Sequence, residues 1–124
     1  MQDFYLDATK SSPEVYYEAE QNTLEIKGES YPENAFNFYQ PVIEMINKAI
    51  SEKGTLTLIA EIIYLNTSST KSFMNILDIL DEAYQEGKNV AVKWYYEKDN
   101  EHSYELALEF KEYLELPFEI IAKS

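Results

Sequence analysis

The chain has no cysteine, only three glycines and a single histidine in 124 residues. Without cysteine there is no disulfide, no thiol nucleophile and no thiolate metal site. The glycines stand at 28, 54 and 87, too scattered for the phosphate-cradling loop of a P-loop or Rossmann nucleotide site. No apolar run approaches a membrane span. The start, Met1-Gln2-Asp3-Phe4-Tyr5, lacks the basic and apolar blocks of a secretory leader. The sequence therefore reads as cytoplasmic, and the sequon Asn66-Thr67-Ser68 is discounted as a glycosylation acceptor. Positive charge is also scarce. Ten Lys and Arg face 23 Asp and Glu, a formal net charge of −13, which disfavours nucleic acid and anionic lipid and favours a basic partner or none. No repeat, low-complexity tract or linker divides the chain, so residues 1–124 read as one domain large enough for a hydrophobic core.

What is present is an alternation of short apolar strands and helix-period stripes. Residues 1–12 are polar with a few aromatics and are expected to be poorly ordered. Glu14–Ala19 and Thr23–Lys27 read as two strands of a hairpin turning at Gln21-Asn22. A helical region follows from Tyr31-Pro32-Glu33-Asn34 to about Lys53, with Val42, Ile43, Ile46, Ala49 and Ile50 as its stripe. Pro41 lies inside it and predicts either a kink or a new helix start. Leu56–Ile63 is nearly continuous and apolar, as a central buried strand would be. A second helix is predicted from about Ser69 to Glu86 with Phe73, Ile76, Leu77, Leu80, Ala83 and Tyr84 inward. Val90–Tyr96 is a strand, Ser103–Leu114 a helix with Leu106, Ala107, Phe110 and Tyr113 inward, and Phe118–Ile121 a last short strand. The order β-β-α-β-α-β-α-β predicts an α/β fold with a mixed sheet and parallel crossovers.

The stretch Tyr64-Leu65-Asn66-Thr67-Ser68-Ser69-Thr70 carries the clearest functional signal. An apolar strand stops at five small polar residues, four of them hydroxylic, just where a helix pattern begins. Asn, Ser and Thr at such a junction serve as N-caps. The same place also suits a phosphorylation switch, because a helix N-terminus presents unpaired N–H groups and the positive end of its dipole. Tyr31-Pro32-Glu33-Asn34 sits at another strand-to-helix junction, and parallel crossovers bring such ends to one edge of a sheet. It is therefore expected beside Thr67, either as recognition surface or as a plain N-cap. Met74, one turn beyond Thr70 and off the main stripe, is either partner surface or packing beneath a loop.

Catalytic and metal readings find less. Ser68-x-x-Lys71 matches a penicillin-binding pattern without its companion motifs. His102 stands among Asn100, Glu101 and Ser103, where a solvated residue at a helix start is expected. Asp78, Asp81 and Glu82 form a carboxylate group that could hold a metal or a basic partner, or form a solvated helix face. No acid and base pair stands out, and no cofactor is implied.

Ser30-Tyr31-Pro32-Glu33-Asn34-Ala35, Tyr64-Leu65-Asn66-Thr67-Ser68-Ser69, Ile76-Leu77-Asp78-Ile79-Leu80 and Trp94-x-Tyr96 together resemble the SiaC family of bacterial regulatory phosphoproteins, over about residues 13–121. The resemblance implies a fold similar to the STAS domain of anti-sigma-factor antagonists. It implies a non-enzymatic switch, phosphorylated by a partner protein kinase on the threonine that is Thr67 here and dephosphorylated by a metal-dependent serine/threonine phosphatase. The unmodified form would bind an effector, in the namesake system a diguanylate cyclase acting in cyclic di-GMP signalling and biofilm control. Tyr31, Pro32, Glu33, Asn34, Leu65, Asn66, Ser68, Ser69, Thr70 and Met74 are the residues expected to contact partners. A constitutive partner-binding domain, or a small enzyme, is the alternative.

Overall fold

A computed structural model of the chain describes residues 1–123. Six strands form one sheet, β1 (Phe4–Leu6), β2 (Glu14–Glu18), β3 (Thr23–Ser30), β4 (Thr55–Leu65), β5 (Asn89–Glu97) and β6 (Phe118–Lys123), ordered 1 to 6 across its width. The helices are α1 (Ala35–Lys53), α2 (Thr67–Gln85) and α3 (Glu101–Glu112). The first three strands are antiparallel neighbours, and β3 to β6 are parallel. Parallel crossovers are right-handed almost without exception. Three of them stepping the same way across the sheet put all three helices on one face.

That placement explains the strand patterns. Leu56, Leu58, Ala60 and Ile62 of β4 alternate into the core with Leu24, Ile26, Val90, Val92 and Trp94 of its neighbours. Their alternates Thr57, Ile59 and Glu61 are only half-buried, on the face without helices. Parallel sheets are usually covered on both faces. Here the bare face is kept polar, with Lys123 Nζ 2.9 Å from Glu61 and 3.5 Å from Glu97. Trp94 lies at the centre of the covered face. Its ring meets Phe73 of α2 at 5.7 Å, Phe110 of α3 at 5.8 Å and Phe118 of β6 at 6.4 Å.

The predicted strands and helices are present, with one strand more than expected. The N-terminal segment is ordered into β1, which pairs Phe4 with Tyr17 and Leu6 with Val15. Phe4 and Leu6 pack on the core while Tyr5 points out, a period-2 signal too short to recognise in isolation. Asp3 holds the edge by accepting from the Ala19 N–H at 2.8 Å. Tyr84 and Tyr113 are not inward but 40% and 73% exposed. Ala83 takes the inward direction at the end of α2, and Tyr113 is the C-cap residue beyond the last turn of α3.

Pro41 neither splits α1 nor starts a new helix; the helix runs unbroken past it. The ring sits on the exposed side, where a lost hydrogen bond to the Asn37 carbonyl can be replaced by water. Pro41→Ala is expected to raise stability by about 1–3 kcal/mol. The check is a higher urea midpoint at unchanged m-value.

Within the carboxylate group on α2, Asp78 and Glu82 are exposed, as a solvated face would be, but Asp81 is not. Asp81 is 9% exposed, and its Oδ1 accepts the Glu115 and Leu116 N–H groups at 2.8 and 2.9 Å. Its Oδ2 accepts from Gln85 at 3.0 Å. Asp81 is a clasp that fastens the turn between α3 and β6 to α2.

Candidate partner-docking site

The parallel strands β3, β4 and β5 end on one edge of the sheet, and α1, α2 and α3 begin there. Each helix start is closed the same way. Asn34, Asn66 and Asn100 are N-caps whose side-chain oxygens accept from Asn37 N at 3.0 Å, Ser69 N at 2.8 Å and Ser103 N at 3.0 Å. Tyr31–Asn34 and the Thr67 turn are tied together at this edge by the Asn66 N–H donating to the Ser30 carbonyl at 3.0 Å.

A bulge shapes the end of β4. Gly28 pairs with Ile62 but Glu29 pairs with Tyr64, so Ile63 is an extra residue. Gly28 has φ +119, open to glycine and rarely to other residues. The bulge reverses the alternation, leaving Ile63 and Tyr64 48% and 42% exposed and turning Leu65 inward at 4%. Leu65 therefore supports the surface and offers no contact to a partner.

The hydroxyl run is sorted by the first turn of α2. Thr67 and Ser68, at the first two helical positions, are exposed. Ser69 is fully buried, its Oγ 2.8 Å from Ser30 Oγ, which lies 2.7 Å from Tyr39 Oη. Thr70 is half-buried and donates its hydroxyl to the Asn66 carbonyl at 2.9 Å. Ser69 was expected on the docking surface and is excluded from it by burial. Met74 is half-buried against the core, which favours the packing role over an exposed contact.

Burial pushes the Tyr39 hydroxyl up to about 12, against a smaller downward pull from its Ser30 hydrogen bond. A folded-state value above the ordinary one of about 10 means the neutral phenol stabilises the fold below pH 10. That contribution, about 2–3 kcal/mol, is lost as pH rises from about 10 through 12. Denaturant melts across this window should fall more steeply for wild type than for Tyr39→Phe.

The remaining candidates face outward. Tyr31 is 38% exposed, Glu33 and Asn34 are exposed, and Pro32 and Asn66 are half-buried. The Tyr31 ring meets Tyr64 edge-on at 6.4 Å, and Tyr64 stacks on His102 at 5.6 Å. His102 is exposed, as expected, and from the first turn of α3 its ring completes an aromatic row with Tyr31 after β3 and Tyr64 near the end of β4. Beside the row, a shallow groove of about 360 Å³ runs between the starts of α1 and α2, lined by Glu33, Asn34, Phe36, Ser68, Lys71 and Asn75 among others. Phe36, 67% exposed on the first turn of α1, belongs to this surface although no motif marks it. Ser68 and Lys71 share the groove but make no hydrogen bond with each other among the described residues. No group of three or more His, Asp or Glu that could hold a metal occurs among the described residues. No helix there is long and apolar enough to cross a membrane.

Residues 6–123 match the profile of the SiaC family of regulatory phosphoproteins. The chain belongs to the SiaC family. An uncharacterized protein of Pseudomonas aeruginosa, strain UCBPP-PA14, is 38% identical over 123 residues, 98% of each chain. The crystal structure of apo-SiaC from Pseudomonas aeruginosa superposes with TM-score 0.92 at 37% identity, over 98% of this chain and 100% of that one. A SiaC chain in the crystal structure of the diguanylate cyclase SiaD with its activator SiaC superposes with TM-score 0.94 at 38% identity, over the same shares. SiaC membership accounts for the mixed sheet with three helices and makes this chain a signalling protein of the regulatory phosphoprotein type.

Proposed function

We propose that this SiaC-family chain is a non-enzymatic partner switch. Its unphosphorylated form binds and activates an effector of the diguanylate cyclase class. Phosphorylation of Thr67 by a partner kinase ends that binding, and a serine/threonine phosphatase restores it. The protein would act in the cytoplasm, in cyclic di-GMP control of biofilm formation. The observation that carries the reading is the position of Thr67. It is an exposed hydroxyl at the first position of α2, in a run where Ser69 is sealed and Thr70 is engaged. The solved complex of a relative 38% identical to this chain with a diguanylate cyclase supplies the effector class.

The chemistry agrees. Phosphate adds about 1.5–2 negative charges and three acceptor oxygens. The Asn66 side chain already serves the Ser69 amide, so the amides of Thr67 and Ser68 remain to face an anion. The fold can therefore carry the phosphate at little cost. A partner covering the Tyr31, Phe36 and Tyr64 surface would have to desolvate it. Mass spectrometry of the protein isolated from its own cells tests the reading: phosphate is expected on Thr67 in part of the population. Phosphate confined to Ser68, or absent under every growth condition, would overturn it.

A further inference from the structure

Ser30, Tyr39 and Ser69 come from β3, α1 and α2, and all three are fully buried. Their hydroxyls form a continuous chain, 2.7 Å from Tyr39 to Ser30 and 2.8 Å from Ser30 to Ser69. No buried side-chain polar atom lacks a partner among the described residues, so each member depends on the next. Ser30 lies directly before Tyr31 and its carbonyl accepts the Asn66 N–H. Ser69 lies two residues after Thr67 and its amide is capped by Asn66.

We propose that Ser30, Tyr39 and Ser69 act as a buried positioning lock that holds the Tyr31–Asn34 segment and the Thr67 turn as one unit, so that a disturbance of the first turn of α2 displaces both. Apolar side chains in the same place would pack the two segments together but set their relative geometry less narrowly, because dispersion contacts have little direction. Hydroxyl hydrogen bonds have narrow distance and angle limits, and in a buried site an unmade one is costly. The lock therefore permits one arrangement of the recognition edge. It also removes Ser69 from the hydroxyls a kinase could reach. The inference rests on the switch reading for its purpose, but its test needs only the isolated protein.

The structure supplies a matched control. Ser103 occupies the same position in α3 as Ser69 in α2 and is equally buried, but its hydroxyl accepts from Trp94 Nε1 at 3.0 Å and donates to the Ile62 carbonyl at 2.6 Å, outside the Ser30, Tyr39 and Ser69 chain. Amide hydrogen exchange, followed by NMR on the full chain, compares wild type with Ser69→Ala, Tyr39→Phe and Ser103→Ala. The lock predicts that Ser69→Ala speeds exchange of the Asn66 and Tyr31 amides by roughly 10-fold or more, with the Val92 amide as internal reference. Tyr39→Phe should produce a smaller acceleration, roughly 3-fold, at the same amides. Ser103→Ala should leave both rates within about 2-fold of wild type. Wild-type exchange of Asn66 and Tyr31 in Ser69→Ala would overturn the proposal. Equal acceleration by Ser103→Ala would also overturn it, because a general loosening would then suffice. If Ser69→Ala does not fold, Tyr39→Phe decides alone, with unchanged exchange at Asn66 counting against the lock.

Discussion

Incubated with the proposed partner kinase and ATP, the wild-type chain is expected to take up close to one phosphate and Thr67→Ala essentially none. The argument is one of access. A kinase must seat its acceptor hydroxyl in an active site, which excludes Ser69, fully buried in the Ser30 and Tyr39 chain. Thr70 Oγ1 is held by the Asn66 carbonyl at 2.9 Å. Thr67 and Ser68 remain, and of these Ser68 faces the groove beside Lys71 while Thr67 opens the helix. Equal labelling of wild type and Thr67→Ala would remove Thr67 as the acceptor. Label found on Ser68 instead would likewise overturn Thr67 as the switch residue and move the acceptor to its neighbour. The modified protein should melt with the wild type, because the first turn of α2 can host an anion.

The second large effect concerns stability. Asp81→Ala is expected to cost about 2–4 kcal/mol, read as a fall in urea midpoint. Its Oδ1 serves two backbone amides of the turn between α3 and β6, so alanine removes the acceptor of both N–H groups. Asp81→Asn keeps an acceptor oxygen and should lose less. Amide exchange should rise first at Glu115 and Leu116. A loss below about 0.5 kcal/mol, the range of ordinary surface substitutions, would show that the clasp is idle.

Much of this molecule is legible in its residues because each strand and helix carries its own period. Leu56–Ile63 reads as a central strand since one helical layer needs an apolar partner, and Phe73, Ile76, Leu77 and Leu80 read as a stripe for the same reason. The Thr67 turn is visible because polar caps must sit between a strand end and a helix start. The parts that escape are set by distant partners. Asp81 reads as solvated because the amides it accepts lie more than thirty residues away. The extra residue Ile63 is a matter of register against β3, which one strand alone does not reveal. It is the bulge that puts Tyr64 outside and Leu65 inside, and so decides which members of the motif can meet a partner. Phe36 carries no local signal at all; its exposure follows from the side of α1 that the sheet leaves free. Phe4 and Leu6 order the N-terminus through a strand of three residues, shorter than any periodicity can register.

The central claim is that one phosphate on an intact surface decides whether the effector binds. Isothermal titration calorimetry of the cyclase effector against the unmodified chain and the same chain phosphorylated on Thr67 tests it directly, with circular dichroism melts of both forms alongside. The account predicts matching melts, measurable binding by the unmodified form, and affinity weakened by roughly 100-fold or more, about 2.7 kcal/mol, in the phosphorylated form. Equal affinities of the two forms would contradict it.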